Sequence, residues 1–109
     1  RGGWGNAMYH LLTSDVFDSA EALRIGLVQE VVPAGTQLAR ALELAAVICE
    51  GAPLAVQATK ASSMRFVEEG EAAAIAALGP TQVELAATED ATEGVASFVE
   101  RRMGDFKGR

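Results

Sequence analysis

From Leu11 to Pro33 the spacing of apolar and polar positions changes character several times, and it predicts a helix end, a loop, a short helix, a stop and an extended segment. Leu11 and Leu12 close one helical run, and the side-chain oxygens of Thr13 and Ser14 compete with helix. Asp18 or Ser19 can cap a short helix over Ala20 to Ile25, with Glu21 at the capping-box spacing from Asp18. Ala20, Leu23 and Ile25 give that helix an apolar side, and Gly26 stands where a left-handed residue would end it. Leu27, Val28, Val31 and Val32 are strand formers interrupted by Gln29 and Glu30, and Pro33 closes the run because it has no N–H for a ladder.

The remaining pattern is helical. A first helix is predicted over Asn6 to Leu12. A second long run starts at Thr36 as N-cap and ends near Glu50, with Leu38, Ala41, Leu42, Ala45 and Ile48 as an inward stripe and Gly51 as its left-handed stop. Pro53 suits the first position of a helix reaching Glu68 or Glu69, on which Leu54, Ala58, Ala61 and Arg65 share a side. Ala72 to Leu78 is a good helix former interrupted by Gly79 and Pro80, so a kink or two helices are expected, the second over Thr81 to Ala87. Asp90 and Glu93 fit the N-cap and third position of a last helix from Ala91 to about Met103. The expected fold is all-α, with five or six helices and one short extended segment at Leu27 to Val32. That segment has no predicted partner within the chain, and it reads as an edge strand or a cover that exposes apolar surface unless association hides it.

Composition narrows the function classes. A chain of 109 residues buries roughly 65% of its unfolded surface, which is one modest core. Half of its residues are hydrophobic but only 6% are aromatic, and with abundant alanine this implies helices packed at close approach. The formal charge of -6 argues against a general nucleic-acid or anionic-membrane surface. No apolar run approaches the roughly 20 residues of a spanning helix, so no membrane role is expected and a cytoplasmic location is the default. Cys49 is the single cysteine, which excludes an intrachain disulfide and a multi-cysteine metal site. Its neighbours Val47 and Ile48 suggest a buried, inert thiol. The chain begins at Arg1 without an initiator Met, as an excised fragment, a proteolytic product or a processed chain would.

Few residues offer chemistry. The glycines at 2, 3 and 5 precede a helix, but the phosphate-loop spacing and its Lys-Ser/Thr are absent, so a linker is the better reading. His10, Ser14 and Asp15 are strung over one helix end, whereas the members of a nucleophile system converge from separate elements; a surface or helix-end histidine is expected. Glu68, Glu69 and Glu71 cluster around Gly70 and read as a solvated helix start. No catalytic residue and no metal ligand set is assigned. On the last helix Gly94, Phe98 and Arg101 share a side. An aromatic ring there can stack on a flat group, a guanidinium one turn later can meet phosphate, and the glycine suits a close approach. The alternative makes Phe98 a core residue and leaves Arg101, Arg102, Lys107 and Arg109 to complement the helix dipole.

The words LLTS, FDSAEALRIGLV and VVP, followed by PLAVQATK and EDATEGVASFVERRMGDFKGR, resemble the C-terminal helical region of the enoyl-CoA hydratase/isomerase (crotonase) family, in the family's order and over nearly the whole of residues 1–109. The resemblance implies a parent enzyme of fatty-acid metabolism that adds water across, or shifts, a double bond conjugated to a coenzyme A thioester. In the family a larger spiral α/β domain carries the oxyanion-hole amides and catalytic glutamates, and nothing in this chain matches it. This chain is therefore expected to be inactive alone, and to supply subunit contacts, the roof of the acyl pocket and part of the coenzyme A grip. Phe98 and Arg101 fall where the family places an aromatic and a basic residue near the adenine and phosphates, often from a neighbouring subunit. The resemblance implies an acyl-CoA substrate and a homo-oligomer, with no cofactor beyond the coenzyme A of the substrate itself. It favours a structural role for Lys60, facing solvent or another subunit. Family members keep a longer helix where Gly79 and Pro80 stand. The alternative of another class is a noncatalytic helical self-association module from a split or truncated gene.

Overall fold

The computed structural model describes residues 2–109, and among them every regular element is a helix. The order is α1 (Trp4–Thr13), α2 (Ser19–Arg24), α3 (Gln37–Cys49), α4 (Pro53–Glu69), α5 (Glu71–Ala86) and α6 (Glu89–Glu100). The residues form two compact units, one ending at Ala41 and the other running from Leu42 to Arg109.

In the first unit local chemistry sets the boundaries. The Asp18 carboxylate accepts the Glu21 N–H at 2.9 Å and caps α2, as the capping-box spacing predicts. Gly26 takes a φ of 74° just beyond the helix, where an L side chain would be strained. The Leu27 and Val28 amides then donate back to the Ala22 carbonyl, and Val31 and Val32 follow without regular structure. The predicted extended segment is thus no strand here, because strand propensity without a neighbouring ladder leaves backbone groups unpaired. On the far side Arg40 Nε donates to the Glu30 carboxylate at 2.8 Å.

In the second unit Pro53 opens α4 as its first residue, and Gly70, with φ 91°, ends α4 and begins α5. Two sequence expectations are corrected here. Of the kink or two helices expected at Gly79 and Pro80, the division into two does not occur, and α5 continues from Glu71 to Ala86. Proline has a helix-compatible φ and removes one donor; packing along α4 holds the rest of the turn. Gly51 has no left-handed backbone; its side-chain position would meet Val56 Cγ2 at 3.2 Å and the Ile48 carbonyl at 3.4 Å, so the turn between α3 and α4 requires lack of bulk.

Burial is the unexpected feature. Ala22 and Ala74 are the buried hydrophobic residues among those described, and no side chain is fully enclosed. The expected inward stripe of α3 lies open: Leu38, Leu42 and Ile48 are each more than half exposed. Cys49 is exposed too, which corrects the expectation of a buried thiol. Surfaces of this kind are covered in stable proteins. The isolated chain is expected to self-associate; sedimentation should show mass rising across micromolar concentrations, and one ideal monomer boundary would count against it. No single helix among the described residues is long and apolar enough to cross a membrane.

Candidate functional site

The candidate site is the C-terminal end of α6, and it is built by contacts that begin at the other end of that helix. Thr88, not Asp90, is the N-cap: its hydroxyl accepts the Ala91 N–H at 3.0 Å. Asp90 lies inside the helix with 4% of its surface exposed, and its two carboxylate oxygens accept the Lys107 and Gly108 amides at 2.7 Å each. Its own amide donates to the Arg109 carbonyl at 3.1 Å. One turn on, Glu93 accepts the Asp105 amide at 2.8 Å and pairs with the Arg102 guanidinium through both oxygens. The last eight residues are therefore clasped back along α6.

The clasp fixes where the helix ends. Arg101 takes a φ of 55° and ψ of 42°, its amide donates to Phe98 O, and the Arg102 amide reaches Ser97 O at 3.0 Å. These are the two hydrogen bonds of a Schellman stop, with arginine at a position that glycine usually fills. The expected helix to Met103 is thus three residues too long. No ion pair or side-chain hydrogen bond engages Arg101 among the described residues. Phe98 is 84% exposed, with Val95 and Val99 on the same open surface, so the reading of Phe98 as a core residue does not hold in this chain. Gly94 lies beside the tail, where a Cβ would sit 3.8 Å from the Phe106 ring, an ordinary contact, so no close approach requires glycine within this chain.

The salt bridge has an acid limit. The Arg102 guanidinium, helped by the Asp105 amide, lowers the Glu93 carboxyl from its ordinary 4.5 to about 2. A depressed carboxyl contributes fully above 4.5 and loses its contribution as pH falls through about 2. Titration of the Glu93 carboxyl carbon by NMR should show a midpoint near about 2; a midpoint at 4.5 would mean the pair is open in solution.

The other candidates do not assemble into a reactive group. Of the surface or helix-end histidine expected, His10 is the helix-end one: it lies in the last turn of α1, mostly covered, with its ring 4.4 Å from Phe17 and Nε2 3.8 Å from Glu21 Oε1. Asp15 instead accepts the Tyr9 hydroxyl at 2.8 Å, and Ser14 is the left-handed residue that closes α1. Glu68, Glu69, Glu71 and Lys60 are exposed. At the N-terminus Asn6 Nδ2 donates to the Gly2 carbonyl at 2.7 Å, which bridges the glycine turn to α1. Among the described residues no group of three His, Cys, Asp or Glu is placed to hold a metal.

One feature of the first unit escaped sequence reasoning. An apolar groove of about 510 Å³ is lined by Trp4, His10, Leu11, Phe17, Ile25 and Leu27. The spacing of Trp4 and Leu11 along α1 was a possible signal, but Ile25 and Leu27 join them only through the turn at Gly26.

The family model described as enoyl-CoA hydratase/isomerase matches residues 2–109. The chain is 36% identical over 99 residues to the 2,3-dehydroadipyl-CoA hydratase of Escherichia coli, covering 91% of this chain and 39% of that protein. It is 37% identical over 103 residues to the carnitinyl-CoA dehydratase of Proteus mirabilis, 91% of this chain and 40% of the relative. The crystal structure of a probable enoyl-CoA hydratase/isomerase from Mycobacterium abscessus superposes with a TM-score of 0.93 at 50% identity, over 99% of this chain and 42% of that one. An enoyl-CoA hydratase from Mycobacterium tuberculosis superposes at 0.88 with 32% identity, over 97% of this chain and 42% of that one. The chain thus spans about two fifths of the length of these relatives.

Proposed function

The chain belongs to the enoyl-CoA hydratase/isomerase family, and on that premise we propose that it is the C-terminal helical region of an enzyme acting on the double bond of acyl-CoA thioesters. The observation that carries this reading is the end of α6, where an exposed aromatic ring and an arginine that forms no ion pair among the described residues stand one turn apart on a clasped helix terminus. Such a pair suits a ligand with a flat base and phosphates, and the two relatives named above are both described by coenzyme A thioesters. Phe98 is assigned to stacking on the adenine and Arg101 to the phosphates. No cofactor is assigned beyond the coenzyme A that the substrate carries.

In that chemistry backbone amides stabilise the thioester enolate and glutamates move protons. Those groups are assigned to a domain outside this chain, since the carboxylates with fixed geometry here are engaged in capping and clasping. The apolar groove on α1 is assigned to the cover of the acyl chain, and the open surface of α3 to contacts with that domain and with neighbouring subunits.

The exposed apolar surfaces also favour a second reading, a noncatalytic helical module that associates with itself. The intact mass of the native polypeptide separates the two. The first reading expects roughly 150 further residues, about one more domain. A native product of this length that assembles without further chains would overturn it.

A further inference from the structure

We infer that Asp90 and Glu93 are positioning residues for the phosphate contact of Arg101, acting through the C-terminal tail that they clasp to α6. The inference rests on the assignment of Arg101 above, and it names what holds that arginine in place. Asp90, 4% exposed, borders a shallow groove with Glu89, Glu93, Asp105 and Lys107, but both of its oxygens are spent on tail amides, so it holds the tail. Glu93 fixes Arg102, the neighbour of Arg101, and the Asp105 amide. Arg101 is thus pinned between the last turn of α6 on one side and an anchored tail on the other.

Its backbone shows the consequence. A left-handed conformation strains any residue with a Cβ, and glycine would occupy it freely. An unclasped tail would let Arg101 relax and the helix fray, moving the guanidinium relative to Phe98. The clasp holds this position fixed, and with it the place of the Arg101 guanidinium relative to Phe98.

Two substitutions open the clasp without touching Arg101. In Asp90→Asn one oxygen becomes an NH₂ that faces a backbone N–H, donor against donor, so either Lys107 or Gly108 loses its acceptor. Glu93→Gln removes the charge that pairs with Arg102 while keeping the shape. The test uses the full-length enzyme and two substrates, a short enoyl-CoA and the matching enoyl-pantetheine thioester, which lacks the adenine and its phosphates. Asp90→Asn should raise KM for the coenzyme A ester by about fivefold, the scale of one exposed charge contact, and leave kcat and the KM for the pantetheine ester unchanged. In an Arg101→Ala background the same substitution should change nothing further. Amide exchange at Lys107 and Gly108 reports independently that the tail has been released.

A KM that rises equally for both esters, a fall in kcat, or a released tail with unchanged KM would each overturn the inference. If Asp90→Asn does not fold, Glu93→Gln carries the same comparison under the same criteria. An Arg101→Ala enzyme with unchanged KM for the coenzyme A ester would overturn the assignment of Arg101 and this inference with it, whereas a failure confined to Asp90 and Glu93 would leave that assignment standing.

Discussion

The 109-residue chain on its own should give no measurable hydration of a short enoyl-CoA. Catalysis of this kind needs donors aimed at the developing enolate oxygen and carboxylates poised to exchange protons, and each such donor is worth roughly 10²-fold or more in rate. The carboxylates with defined partners in this chain have other tasks. Asp18 caps α2, Glu21 pairs with Arg24, and Asp90 and Glu93 hold the tail. Glu68, Glu69 and Glu71 are exposed. Losing both kinds of machinery removes most of the acceleration of about 10⁶-fold or more that enzymes supply. The check is a turnover assay on chain whose intact mass is verified, and measurable product above the uncatalysed rate would contradict the assignment of the catalytic groups to another domain.

The elements that could be read from sequence are those decided by neighbours a few residues away. Asp18 with Glu21, Gly26 and Pro53 each act on backbone within a few residues of themselves, so their spacing was sufficient. The last helix shows the opposite case. Asp90 has the residue type and the spacing of an N-cap, and only its bonds to Lys107 and Gly108, 17 and 18 residues further on, show that Thr88 caps instead. Those same bonds set the helix end at Glu100 and give Arg101 a backbone that periodicity does not encode. Gly94 was read as suiting a close approach, but a Cβ there would meet the Phe106 ring of the tail at an ordinary contact distance. Pro80 misled for a simpler reason: propensity weighs the lost donor, whereas packing of α5 on α4 decides whether the helix continues. The apolar stripe of α3 was expected to face inward, yet Leu38, Leu42 and Ile48 stand open, because periodicity gives the spacing of a stripe and not what covers it.

An aromatic side chain that is 84% exposed in this chain has little packing to lose, so Phe98→Ala should change the chain's own stability by no more than about 0.5 kcal/mol. A core phenylalanine would cost about 3 to 5 kcal/mol. If the ring stacks on adenine, the scale of base-aromatic contacts is roughly 1 to 3 kcal/mol. Coenzyme A binding by the full-length enzyme should then weaken by a factor of about 5 to 150. Arg101→Ala should weaken binding less, and its effect should shrink as salt is raised, because the charge is exposed.

The most direct measurement is the coenzyme A affinity of the full-length enzyme with and without Phe98→Ala, taken together with the thermal unfolding of both. A loss of affinity within the stated range at an unchanged unfolding midpoint is the predicted result. Lowered stability with unchanged affinity of the folded enzyme would contradict it and remove Phe98 from the site.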